Sequence, residues 1–133
     1  MNDMVIIVLR LLLAATLGAI IGFQREKAGK PAGLRTHVLI CLGAALFTVA
    51  SIYGFGFGSD PSRVAAGVLV GVGFLGAGVI IRTSGGDLAG LTTAATIWAA
   101  AGIGLAVGSG MYVAAAVATV LILIVLYIPH FHR

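Results

Sequence analysis

Apolar residues in this chain come in long runs and do not alternate with polar ones. Met4–Phe23, Thr36–Tyr53, Val64–Ile81, Leu91–Val107 and Met111–Ile128 are each apolar on every face. Each approaches the roughly 20 residues that carry a helix across a bilayer core. A membrane β-barrel would instead show strands of about 10 residues in strict alternation. The pattern predicts an all-α membrane protein, a compact bundle of five transmembrane helices in which residues 1–133 form one domain. Connections of a few residues leave no space for a water-soluble domain. The first run does not read as a cleaved leader, because Asp3 stands where a positive segment belongs and the apolar stretch is too long.

Composition agrees. Of 133 residues, 60% are hydrophobic and 9% are charged, whereas a soluble domain carries about 25% charged residues to hold its surface in water. Lipid must cover the rest. The charges also orient the chain, because lysine and arginine gather on the cytoplasmic side of short loops. Arg25, Lys27, Lys30 and Arg35 occupy the first loop, Arg82 and Asp87 the third, and Arg133 the tail; Arg63 stands alone on the other side. The N-terminus is therefore expected outside and the C-terminus in the cytoplasm. Arg10 lies inside the first run, and such a charge snorkels to the interface or finds a partner within the bundle before it serves transport. The single cysteine, Cys41, reads as a buried structural thiol, and Trp98 reads as a packing residue.

Glycine is the next feature. Lipid gives helices no hydrophobic reason to associate, so close van der Waals contact must do it, and small residues permit that contact. Gly18 and Gly22 make one seam on the first run, and Gly104 and Gly108 make another on the fourth. In "GVGFLGAGVIIR" (71–82) and just before it, the 100° helical step puts Gly67, Gly71 and Gly78 on one face and Gly73 and Gly76 opposite. A helix smooth on two faces is expected at the centre of the bundle. The alternative, glycines baring carbonyls to an ion, wants proline or polar partners that this run lacks.

The candidate chemistry collects on the predicted cytoplasmic face. Gln24, Arg25 and Glu26 end the first run; Arg35, Thr36 and His37 open the second; Arg82 ends the third; Thr92 and Thr93 open the fourth. Three arginines, several hydroxyls and two helix N-termini suit an anion: a phosphate, a lipid head group or a partner's carboxylate. Bare Mg²⁺ wants an oxygen shell rich in carboxylates, and only Glu26 and Asp87 are at hand. Each residue also has a plainer reading. The basic residues can serve as orientation signals, Glu26 and Lys30 as a helical ion pair, and Thr92 and Thr93 as caps. His37 reads as a polar interface residue, with no second ligand at metal-binding spacing. His130 and His132 sit with Arg133 on the terminal stub and read as chain-end composition. No metal site, cofactor or enzyme constellation emerges. "GFGFG" (54–58) opens no βαβ unit, so it does not bind a dinucleotide. A net charge of +4 held against a bilayer does not suit nucleic acid.

Three blocks, "GAIIGFQREKAGKPAGLRTH" (18–37), "GVGFLGAGVIIR" (71–82) and "GLTTAATIWAAAGIG" (90–104), resemble the MgtC/SapB family of bacterial inner-membrane proteins. The family typically has glutamate where this chain has Gln24, while Arg25 and Glu26 match. The resemblance implies a short member consisting of the membrane domain, in the bacterial inner membrane. It further implies a link to magnesium limitation or stress survival, and regulation of other membrane proteins. Membrane lipids, a second copy in a homodimer or small oligomer, and another inner-membrane protein are the expected partners. The alternative is an oligomeric transporter or channel for a small ion, but a cation carrier should hold acids inside its spans, and here the only charge there is Arg10.

Overall fold

A computed structural model describes residues 2–82, 85–86 and 88–128, with Arg82 by its backbone alone. Five helices form: α1 (Asp3–Lys27), α2 (Leu34–Tyr53), α3 (Pro61–Gly78), α4 (Leu91–Gly108) and α5 (Tyr112–Leu126). Four of them, α1 to α4, are long and apolar enough to cross a membrane; α5 has 15 residues. Between α3 and α4, β1 (Ile81–Arg82) pairs antiparallel with β2 (Leu88–Ala89). Large apolar side chains such as Leu39, Phe74 and Val113 are exposed by 66%, 77% and 79%. Water would not tolerate so much bare hydrocarbon on a small monomer; lipid accounts for it.

The helix ends show local causes. Asn2 caps α1, its side-chain oxygen accepting from Val5 N at 3.0 Å. The helix continues through the polar Gln24–Lys27 and closes where Lys30 N returns to Arg25 O at 3.0 Å. Lys30 thus lies beyond the helix, so the plainer reading of Glu26 and Lys30 as a pair within one helix does not apply. The third run also differs from its predicted bounds: Gly78 ends α3, Val79 caps it in a helical conformation, and Ile80 leads into β1 at Ile81. β-branched residues favour that extended conformation.

At the other end of α3, Pro61 takes the first helical position and Asp60 Oδ1 accepts from Ser62 N at 3.0 Å and Ser62 Oγ at 2.8 Å. These bonds hold the exposed Asp60 acid below its ordinary value. Because folding lowers that value, the cap is fully effective above the ordinary carboxylate range and is lost as pH falls through the folded value. Wild type should therefore melt above Asp60→Ala at neutral pH, with the two curves converging in acid. A gap that persisted in acid would assign the effect to something other than the charged cap.

Packing places α2 and α4 at the centre. Buried residues make up 44% of the membrane-spanning window of α2 and 50% of that of α4, but 11% of that of α3. A Cβ added at Gly18 would lie 2.7 Å from His37 O, and one at Gly22 would lie 2.8 Å from Leu34 Cα. These two glycines therefore bring α1 against α2 backbone to backbone. Gly104 and Gly108 do the same for α4 against α2, the second with Thr48 Cβ at 2.8 Å. Fully buried Ile21, Ile97, Ile103, Val107 and Cys41 fill the layers between. Cys41 donates its thiol to Ala100 O at 3.1 Å.

This overturns the expectation that the third run is central. Added side chains at Gly67, Gly71, Gly73 and Gly78 would meet nothing within 4 Å, and Gly76 touches Ala94 only at ordinary van der Waals distance. Two-faced smoothness along α3 is real in the sequence, but among the described residues the Gly67–Gly71–Gly78 face meets no close neighbour and the opposite face packs only at Gly76, against Ala94 of α4. Trp98 also departs from its expected packing role, being 59% exposed on α4.

Candidate polar site at the Arg25 end of the bundle

The chain reverses between α1 and α2, and again between α3 and α4, so the end of α1 and the starts of α2 and α4 meet. At that end a polar string crosses three helices. Arg25 is 4% exposed, and its Nη2 donates to Thr93 Oγ1 at 2.7 Å. One turn further along α4, Thr96 Oγ1 lies 2.8 Å from Thr93 O and 3.1 Å from Nε2 of the fully buried His37. His37 Nδ1 lies 2.9 Å from Gly33 O. With Nδ1–H on that carbonyl, Nε2 is left to accept, so the Thr96 hydroxyl proton chooses between Nε2 and Thr93 O.

The string is incomplete at its arginine end. Arg25 Nε and Gln24 Oε1 are buried without a hydrogen-bond partner among the described residues. A buried polar group left unpaired costs roughly 1–3 kcal/mol. None of the carboxylates among the described residues answers the guanidinium. Asp3, Glu26 and Asp60 are all exposed, and Glu26 Oε1 instead accepts from Leu34 N at 3.2 Å, capping α2.

The structure thus sorts the residues that the sequence grouped. Arg25, His37 and Thr93 come together. Thr36 is half-buried on the first turn of α2, whereas Arg35 and Thr92 are exposed. Of the three arginines expected to converge, Arg25 and Arg35 do not come together: Arg25 is buried and Arg35 is exposed. The Arg82 side chain, Asp87, His130, His132 and Arg133 lie outside the described residues. Gly90 caps α4 without a side-chain bond, so Thr93 is no cap; its hydroxyl serves Arg25. Thr96 joins the cluster, and sequence reasoning assigned it no place there. Thr96 carried one readable signal, three residues after Thr93 and so on the same helix face.

Arg10, at the opposite end, has found bundle partners. Its Nε donates to Tyr112 OH at 2.8 Å, and its Nη1 donates to Tyr53 OH at 3.1 Å and Gly108 O at 3.0 Å. Gly108 closes α4, and a cation there meets a carbonyl that the helix leaves unbonded.

A helical membrane protein with small-residue seams and a buried arginine–threonine–histidine string is the class that this fold and site define. The chain belongs to the MgtC family, whose model matches residues 11–133. It is 49% identical over 131 residues to YhiD of Escherichia coli K12, provisionally named a magnesium transporter, covering 92% of this chain and 60% of that protein. It is 42% identical over 125 residues to SapB of Bacillus subtilis, covering 89% and 54%. To MgtC of Salmonella typhimurium it is 47% identical over 116 residues, covering 87% and 49%. The chain thus spans about half to three-fifths of the length of these relatives. No solved structure matches it.

Proposed function

We propose that this chain is the membrane part of a regulatory protein of the bacterial inner membrane, and that it docks an anionic group of another membrane protein at the Arg25 end. One observation carries the reading: a guanidinium that is 4% exposed and, among the described residues, bonded to a single hydroxyl with Nε unpaired. Arginine's planar fork matches a carboxylate or a phosphate. On this reading the N-terminus is outside and the Arg25 end faces the cytoplasm, as the basic first loop favours. The names of its relatives make magnesium limitation the condition to test. Direct cation transport is less well supported, because every carboxylate among the described residues is exposed and two of them serve as helix caps.

The test compares Arg25→Met, which keeps the volume, with Arg25→Lys, which keeps the charge but not the fork. Both should accumulate in the membrane. In cells that depend on this protein for growth in low magnesium, Arg25→Met should fail and Arg25→Lys should rescue only in part. Loss of a charge-assisted contact weakens binding about tenfold or more. Full growth with Arg25→Met at normal abundance would sink the docking site. Uptake of Mg²⁺ by proteoliposomes holding the protein alone would favour transport instead.

A further inference from the structure

The other end of the bundle holds a second polar site, independent of the first. Arg10 has five N–H donors, and three of them are engaged by Tyr112, Tyr53 and Gly108. Nη2, with its two hydrogens, bonds to nothing among the described residues. Beside it stands Gly110, where a side chain would come within 2.8 Å of Nη2; glycine keeps that approach open. The Tyr112 hydroxyl accepts from Nε at 2.8 Å, which leaves its own proton free to donate. Arg10 and Tyr112 line an open pocket of about 410 Å³ whose remaining wall is Ile6, Leu9 and Leu13.

The chemistry of this pocket is one-sided. Its polar corner presents the Arg10 guanidinium and the Tyr112 hydroxyl, and it carries a positive charge with no carboxylate among the described residues bonded to it. The remaining wall is hydrocarbon. A group of acceptor oxygens bearing negative charge fits the corner, and an alkyl chain fits the wall. Free phosphate would meet the corner but would lose its hydration against Ile6, Leu9 and Leu13 with nothing in return. The level in the bundle also suits a head group. Gly108 ends α4, Tyr112 begins α5 and Tyr53 ends α2, and tyrosines gather where a bilayer meets water.

We propose that the Arg10 pocket binds a membrane phospholipid, with its phosphate on Arg10 Nη2 and the Tyr112 hydroxyl and an acyl chain along Ile6, Leu9 and Leu13. An anionic lipid such as phosphatidylglycerol is preferred over phosphatidylethanolamine, whose ammonium would approach Arg10. The bound lipid then braces the α4–α5 turn against α1.

Native mass spectrometry of delipidated full-length chain in detergent tests this, with phosphatidylglycerol, phosphatidylethanolamine and inorganic phosphate as separate probes. Arg10→Lys keeps the charge but loses the fork. Leu9→Trp fills the pocket from a half-exposed position and leaves the three Arg10 bonds intact, so it folds even if Arg10 variants do not. Wild type should retain one phosphatidylglycerol per chain, and each variant should need about tenfold more lipid, the loss expected for one charge-assisted contact or its exclusion. Inorganic phosphate should neither bind at comparable concentration nor displace the lipid. Equal retention of phosphatidylglycerol by wild type and Leu9→Trp would overturn the proposal. So would inorganic phosphate binding as tightly as the lipid, which would make the site one for a free anion.

Discussion

Gly104→Leu should yield no folded bundle. A Cβ at Gly104 would fall on the Cys41 carbonyl oxygen and lie 2.9 Å from Ala44 Cβ. Neither obstacle is the free end of a flexible side chain, so α2 and α4 would have to separate. Overpacking costs about 1–3 kcal/mol where neighbours can give way. Here the backbone cannot, so the cost lies beyond that range and takes most of the roughly 5–15 kcal/mol by which a domain is stable. Size-exclusion chromatography of fluorescently tagged protein should show aggregate for this variant and a single peak for wild type. Gly71→Leu is the matched control on α3, with nothing within 4 Å of an added Cβ, and it should elute and melt like wild type. If both variants behave alike, the α2–α4 seam does not hold the fold.

His37→Ala should have the next largest effect. His37 is completely buried between α2 and α4 and makes one contact to each helix through its ring nitrogens. Truncating a buried side chain of this size leaves a cavity worth about 2–4 kcal/mol. The two ring contacts are the smaller part, since hydrogen bonds between membrane helices average about 0.6 kcal/mol. Gly33 O also keeps its bond from His37 N at 3.2 Å. His37→Phe, which refills the space without the nitrogens, should therefore recover most of the melting temperature lost in His37→Ala. Thermal melting in one detergent decides it. Equal losses in the two variants would mean that the polar contacts dominate and the cavity does not.

How much of this was legible beforehand varied with the kind of information needed. The runs of apolar residues determined the helices and their length, because spanning lipid is a property of each segment alone. The loop connections determined which ends meet, since short links force neighbouring helices to run antiparallel. That alone brought Arg25, His37 and Thr93 to one end. The packing value of each glycine could not be read in this way. Gly18, Gly22, Gly104 and Gly108 matter because another backbone lies against them, while at Gly67, Gly71, Gly73 and Gly78 an added side chain would find nothing within 4 Å among the described residues. A seam is a relation between two helices, and sequence periodicity describes only one. The candidate site divided along the same line. Residue type marked Arg25, Arg35 and Thr92 alike as polar ends of helices. Only the rotation of each helix about its axis, set by the glycine contacts of α2, turned Arg25 inward to Thr93 and left Arg35 and Thr92 exposed.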